Sequence, residues 1–193
     1  MRFRLASLPL LALLAPVLGA QLLGATPATP APALSKEIPA KDSLTEVESK
    51  KRQALELYLR AKLLAGEAEF EESVRLFRKA VELDPADGQL RLEFAEELRD
   101  LGVFSEAEVQ ARKAVELLGG TPITRRTLGQ ILLASARDRA GVEAASAELK
   151  SANDAQPLEP SGAIAYAQTL LRLERPAEAV PVLEKILDKG RGS

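Results

Sequence analysis

The segment Lys-Ala-Val-Glu-Leu at residues 79–83 recurs unchanged at residues 113–117, an offset of 34 residues. A fixed period of about 20 to 50 residues is typical of repeat proteins, in which similar helical or strand units stack side by side. Each unit buries an apolar face against its neighbour. The duplicated segment therefore predicts the architecture of the chain more directly than it predicts a ligand.

The two copies also share an order of small and large residues. The first copy has Ala61, Leu64, Phe70, Ser73, Phe77 and Ala80, and the second has Ala95, Leu98, Phe104, Ala107, Ala111 and Ala114. Small residues at crossing points let two helices approach closely, and large residues fill the remaining volume. The chain is also poor in aromatic residues, at 4%, and rich in Ala, Leu, Glu and Arg, which favour helices. We therefore expect no β-sheet.

This order resembles the tetratricopeptide repeat, in which two antiparallel helices, A and B, form each unit. The second copy matches best, since Gly102 stands where the family has a glycine between the helices. In the first copy Pro85 supplies the family's terminal proline, but Ala68 replaces the glycine. The resemblance implies an all-α fold, a right-handed α-solenoid of about four helix-turn-helix pairs.

The third copy is degenerate and longer than the others. Ala152 lies 38 residues after Ala114, so four extra residues fall between Leu132 and Val142. Four residues are close to one helical turn of about 3.6 residues. We therefore expect the insertion to lengthen this helix pair while its buried face stays roughly in register.

These observations divide the chain into eight segments. They are a signal peptide or N-terminal anchor at 1–20, a Pro/Ala-rich disordered spacer at 21–42, a helical extension at 43–53, four repeats at 54–87, 88–121, 122–157 and 158–189, and a flexible tail at 190–193.

The beginning of the chain has the pattern of an export signal. Arg2 and Arg4 precede an apolar run from Leu5 to Val17, and the small residues Gly19 and Ala20 follow where cleavage is expected. An uncleaved anchor over residues 5–25 and a disordered tail are the alternatives. We expect an exported protein, periplasmic or secreted, in a bacterial cell envelope, with a membrane contact only through an uncleaved N-terminal segment.

Several residues predict where helices begin and end. Ser43 with Glu46, and Ser105 with Glu108, have the spacing of a capping box, in which each side chain satisfies a backbone donor at a helix start. Asp84 precedes a proline and is therefore disfavoured in a helix. We expect one helix to start at each box and one to end at Asp84.

The composition excludes several classes of function. The chain has no His and no Cys, which supply most protein ligands for zinc, copper, haem and iron–sulfur clusters and many catalytic groups. The net charge of −2 gives no basic surface for nucleic acid. No phosphate-binding loop or nucleophile motif is present. We therefore expect no enzyme activity, no metal, no cofactor and no nucleic-acid partner.

The family resemblance implies a peptide- or protein-binding groove on the concave face, lined by the A helices. Positions 2, 5, 9, 12 and 13 of each repeat would form it. They correspond here to Tyr58, Lys62, Leu92, Glu96, Arg99, Arg126, Gln130, Leu133, Ile164, Gln168, Leu171 and Arg172. The same residues would equally suit a solvated surface.

The resemblance also allows one specialised groove to be weighed. Family members that dock chaperones hold a C-terminal carboxylate with Lys and Asn at positions 5 and 9 of the first repeat. This chain has Tyr58 and Lys62 there, and its only Asn is Asn153 on a B helix. The sequence therefore argues against such a carboxylate clamp.

The end of the fourth repeat suggests a second kind of partner. No polar capping helix follows Ile186, and apolar residues such as Val182 and Leu183 would remain exposed. Self-association through this repeat is therefore an alternative function. The chain could equally be a fragment of a larger repeat protein.

Overall fold

The computed structural model describes residues 45–191, and these residues form helices without any β-strand. The helices are α1 (Glu46–Gly66), α2 (Phe70–Leu83), α3 (Gly88–Asp100), α4 (Phe104–Leu117), α5 (Pro122–Ser135), α6 (Arg139–Ala155), α7 (Pro160–Arg172) and α8 (Pro176–Arg191). Residues 1–44, which include the predicted signal or anchor and the spacer, lie outside the described residues, as do residues 192–193.

The helices pack as four pairs: α1 with α2, α3 with α4, α5 with α6, and α7 with α8. The second helix of each pair also contacts the first helix of the next pair. This order is that of an α-solenoid, and it confirms the predicted all-α fold. We call α1, α3, α5 and α7 the A helices and the others the B helices.

The buried residues follow the pattern of small and large side chains. Ala61, Ala95, Ala111 and Ala114 are each 0% exposed, so helices approach closely at these points. Phe77 on α2 stacks on Phe94 on α3, with 5.2 Å between the ring centroids, and this contact joins the first two repeats.

Three of the four turns inside the pairs use one residue in the left-handed region. Ala68, Gly102 and Glu174 have φ angles of 65°, 74° and 61°. In each turn the next amide nitrogen donates to a carbonyl five residues back, as in the 2.8 Å bond from Val103 to Leu98. This geometry ends the A helix and satisfies one of its last carbonyl groups. Ala68 thus adopts the conformation for which the family prefers glycine.

The third pair takes up its extra residues within its helices. α5 is one residue longer than α3, and α6 is three residues longer than α4, whereas both A–B turns contain three residues. The expectation that the insertion lengthens the helix pair is confirmed. Its turn is different, because Ala136 is extended and Asp138 caps α6 with a 2.8 Å bond from the Gly141 amide.

Both predicted capping boxes were misplaced. α1 is capped by Thr45, whose hydroxyl accepts from the Glu48 amide at 3.2 Å while the Glu48 carboxylate accepts from the Thr45 amide at 2.8 Å. Ser43 lies outside the described residues. Ser105 is inside α4, which begins one residue earlier without a side-chain cap, because the turn at Gly102 already sets the start of that helix.

Two other boundaries can be compared. α2 ends at Leu83 with Asp84 as its C-cap, as expected from the proline that follows. α8 continues to Arg191, two residues into the predicted tail. The predicted helical extension at 43–53 is continuous with α1 from Glu46 onward.

Candidate functional site: the A-helix face

The A helices are joined by side-chain bonds along the predicted groove. The Tyr58 hydroxyl on α1 donates to the Glu93 carboxylate on α3 at 2.6 Å, and the Lys62 ammonium lies 3.3 Å from the same carboxylate. Gln89 donates to Glu93 at 3.3 Å. Glu93 is therefore held by three partners from two helices.

This cluster shifts the pKa of both of its acidic groups. Burial, followed by the hydrogen bond to Glu93, raises the pKa of Tyr58 to about 12. Burial alone would raise the pKa of the Glu93 carboxyl, but the bonds from Tyr58 and Gln89 and the charge of Lys62 outweigh it and lower that pKa. The pair is thus fixed at neutral pH as a neutral phenol and an anionic carboxylate.

Similar bonds join the later A helices. Thr127 on α5 donates to Glu96 on α3 at 3.0 Å, and Arg99 on α3 donates to Gln130 on α5 at 3.1 Å. Arg126 on α5 lies 2.9 Å from Glu159, the N-cap of α7. Much of the polar part of the candidate set therefore connects one repeat to the next.

An open cavity of about 800 Å³ lies between α5 and α7. It is lined by Gln130, Leu133, Ala134, Ser161, Ile164, Ala165, Gln168, Leu171 and Arg172. Ile164 is 47% exposed and Leu171 is 54% exposed, so two large apolar side chains face solvent here. Concave sites with apolar walls and a few polar groups are the usual places for ligands.

Arg172 lines this cavity, and its guanidinium already makes hydrogen bonds within the protein. Its guanidinium donates to the Leu133 carbonyl at 2.9 Å and to the Ala136 carbonyl at 3.0 Å. Both carbonyls belong to the C-terminal end of α5, where helical partners are lacking and a cation is favourable. Arg172 therefore holds α7 to the end of α5.

The cationic side chains of the candidate set all have partners. Lys62 pairs with Glu93, Arg126 with Glu159, and Arg99 with Asp100 at 2.8 Å. Arg172 is engaged by the carbonyls of α5. The cations of the candidate set are therefore engaged and do not form an open cationic clamp.

The structure brings only part of the predicted set together. Six of the candidates line the cavity: Gln130, Leu133, Ile164, Gln168, Leu171 and Arg172. Tyr58 lines a separate cavity of about 210 Å³ between α1 and α3. Lys62, Glu96, Arg99 and Arg126 belong to the bonds between helices instead.

Leu92 does not belong to the groove. It is only 1% exposed, so a ligand on the A-helix face has no access to it. The bond from Thr127 to Glu96 holds α5 against α3, and these two helices pack more closely than α5 and α7 do, which leaves little open surface around Leu92. Conversely, Ala134 and Ser161 line the cavity and were missed, although they occupy positions 13 and 2 of their repeats.

Within residues 45–191, no group of three or more acidic side chains converges in a way that would hold a metal ion. None of the eight helices described has the length and apolar character needed to cross a membrane.

Comparison with known proteins identifies the repeat. A family model described as the tetratricopeptide repeat matches residues 57–87, which cover the second half of α1 and all of α2. No curated protein sequence matches the chain. The evidence for the remaining repeats therefore comes from the fold.

Solved structures share that fold. MamA from Desulfovibrio magneticus RS-1, residues 41 to its end, is 17% identical with a TM-score of 0.66, over 75% of this chain and 79% of that chain. TTC0263, a thermophilic tetratricopeptide-repeat protein of Thermus thermophilus, is 18% identical with a TM-score of 0.58, over 70% and 73%. The first such domain of Spaghetti (RPAP3), bound to the HSP90 peptide SRMEEVD, is 18% identical with a TM-score of 0.58, over 64% and 95%.

Proposed function

We propose that this chain, in which residues 57–87 match the tetratricopeptide repeat, is a non-catalytic scaffold that binds a segment of a protein partner between α5 and α7. The observation that carries this proposal is the cavity of about 800 Å³, whose walls expose Ile164 and Leu171 beside the amides of Gln130 and Gln168. Apolar walls supply most of the binding free energy for such a segment, and amide groups can pair with its backbone.

The chemistry of the cavity favours an apolar segment with a neutral backbone contact. The RPAP3 domain holds the acidic peptide SRMEEVD. In this chain the nearby Arg172 and Arg126 are engaged by carbonyl groups and by Glu159. Binding of a ligand carboxylate to either arginine would break the interactions that the arginine makes with these partners. We therefore propose an extended or helical segment with apolar side chains, and no C-terminal carboxylate clamp.

Selection from a random peptide library with the full chain tests this proposal. Selected sequences should be enriched in apolar residues, and SRMEEVD should bind at least ten times more weakly than the best of them. A preference for acidic C-termini would overturn the proposed chemistry.

Two variants test whether the selected peptide binds in the α5–α7 cavity. Leu171→Asp should weaken the selected peptide at least tenfold, because it places a charge on the apolar wall. Val109 on α4 is similarly exposed, at 57%, and lies outside the cavity, so Val109→Asp is the matched control and should bind normally. Equal affinity of the two variants would remove the α5–α7 cavity as the binding site.

We further propose that the protein is exported and works in a bacterial cell envelope. The support is the charge and apolar pattern of residues 2–20. Mass spectrometry of the protein recovered from a bacterial periplasm tests it: cleavage after Gly19 or Ala20 is expected. A full-length mass in the membrane fraction would favour the anchor instead, and a full-length mass in the cytoplasm would overturn export.

A further inference from the structure

A row of leucines is exposed along α1. Leu55, Leu59 and Leu63 are 54%, 57% and 62% exposed. Residues four apart lie on one side of a helix, so these side chains form a continuous stripe. A contiguous exposed apolar surface of this kind is typical of an interaction site, whereas a single exposed leucine is not. Leu55 also lines the cavity between α1 and α3, so it belongs to the A-helix face. We call the other two, Leu59 and Leu63, the α1 stripe.

The later A helices show what packs against the position of Leu59. In α5 and α7 the counterparts of Leu59 are Thr127 and Ala165, which are 1% and 5% exposed. Thr127 faces the preceding repeat, since its hydroxyl donates to Glu96 of α3. The α1 stripe therefore lies on the side by which an A helix packs against the repeat before it.

Leu63, one helical turn further along α1, also lies at a position that is buried in later repeats. In α5 and α7 the counterparts of Leu63 are Ile131 and Thr169, and each is 0% exposed; in α3 the counterpart is the half-buried Glu97. Leu63 is thus 62% exposed at a position that is fully buried in α5 and α7. Burial of a leucine of this kind stabilises by about 1.5 to 3 kcal/mol in general.

A matching face is exposed on α8. Val180 and Leu187 are 52% and 59% exposed. Their counterparts on α6, 34 residues earlier, are Ser146 and Asn153, which are 9% and 7% exposed. The B helices α2, α4 and α6 each contact the A helix of the next repeat. The exposed side of α8 is therefore the side by which a B helix packs against the repeat after it. We call Val180 and Leu187 the α8 face.

We propose that α8 of one molecule packs on α1 of a second copy of this chain. The α8 face and the α1 stripe are the two halves of a junction that the chain makes three times internally, at α2–α3, α4–α5 and α6–α7. Both halves are apolar and solvent-exposed here, so a second copy offers each of them the surface that the repeat pattern calls for. Such a contact uses different surfaces on the two molecules, so each molecule keeps one free face on which a further copy can pack. It leaves the α5–α7 cavity free and does not depend on the peptide-binding proposal.

Sedimentation velocity of the full chain tests this contact. The average mass of the wild type should rise with concentration. Leu63→Glu and Leu187→Glu should each raise the dissociation constant at least tenfold, because each places a charge in one half of the junction. Val109→Glu is the matched control on an exposed site of α4 and should associate like the wild type.

Mixing the two variants distinguishes packing of α8 on α1 from packing of two identical surfaces on each other. Leu63→Glu keeps an intact α8 face, and Leu187→Glu keeps an intact α1 stripe. An equal mixture should therefore form a species of two molecules and no larger one, at concentrations where each variant alone stays monomeric.

Three results would overturn the proposal: a wild type that stays monomeric at every concentration, a variant that associates alone as tightly as the wild type, or a mixture that associates no more tightly than each variant alone. Circular dichroism of each variant establishes that it is folded. If one is not, Leu59→Lys or Val180→Lys replaces it on the same face.

Discussion

The Tyr58 hydroxyl of α1 donates a 2.6 Å hydrogen bond to the Glu93 carboxylate of α3. It joins the A helices of successive repeats, and the ring of Tyr58 also meets Phe77 edge to face, with centroids 5.9 Å apart. One side chain thus connects the apolar core of the first repeat to the polar links of the A-helix face.

Tyr58→Phe should lower the free energy of unfolding by about 1 to 2 kcal/mol. The ring contacts remain, but the charged Glu93 carboxylate loses the hydrogen bond that the Tyr58 hydroxyl donates to it. Urea denaturation followed by circular dichroism measures the change. Tyr166→Phe is a suitable control: Tyr166 is also buried, at 7% exposure, and no hydrogen bond of its hydroxyl is found within residues 45–191. A larger loss for Tyr166→Phe would contradict this assignment.

The Tyr58 hydroxyl should also make the stability of the protein depend on pH in the alkaline range. The folded state raises the pKa of Tyr58 from 10.0 to about 12, first through burial and then through Glu93. A group that holds its proton more tightly when folded stabilises fully below its unfolded pKa and loses this effect as the pH rises. The stability gap between wild type and Tyr58→Phe should therefore be largest below pH 10 and should narrow towards pH 12. A gap that widens over this interval would contradict the pKa shift.

Ala68→Gly should raise stability by up to about 1 kcal/mol. Ala68 has a φ angle of 65°, which costs a residue with a Cβ about 1 to 2 kcal/mol and costs glycine little. The greater freedom of glycine in the unfolded chain offsets part of the gain. Gly102→Ala makes the reverse change at the equivalent turn and should destabilise. Thermal unfolding of both variants gives the comparison, and shifts of the same sign would contradict it.

Gly129→Ala should destabilise by about 1 kcal/mol. An added Cβ would lie 2.5 Å from Cγ of Leu149 and 3.2 Å from its backbone nitrogen. Overpacking of this kind costs about 1 to 3 kcal/mol, against which the helix preference of alanine returns about 1 kcal/mol. Gly66→Ala is the matched control, because nothing lies within 4 Å of a Cβ there. It should be neutral or slightly stabilising, and an equal loss at both glycines would rule out the proposed clash.

The sequence predicted the helices and their pairing well because packing requires a strict order of residue sizes. The burial of Ala95 and Ala114 and the lengthening of α6 followed from the period alone. The cap of α1 was misplaced because Ser43 and Thr45 both precede a glutamate by three residues. Local spacing cannot separate two such neighbouring caps.

The candidate site was predicted less well, since a repeat position does not determine how open the surface is. Leu92 and Ile164 occupy the same position of their repeats, yet they are 1% and 47% exposed. The difference depends on how closely the neighbouring A helices approach, and that distance is set by contacts such as Glu96 with Thr127. Ser161 is position 2 of the fourth repeat, so it would have been included if all five groove positions had been read from every repeat.

Photo-crosslinking of the selected peptide tests the central claim most directly. A photoreactive phenylalanine at Gln168 would stand on the wall of the α5–α7 cavity, and the same group at Val109 would stand on an exposed part of α4. We expect the peptide to be captured at position 168 in a reaction that excess unlabelled peptide suppresses, and not at position 109. Capture at position 109 alone, or at both positions without competition, would contradict the assignment of the cavity as the binding site.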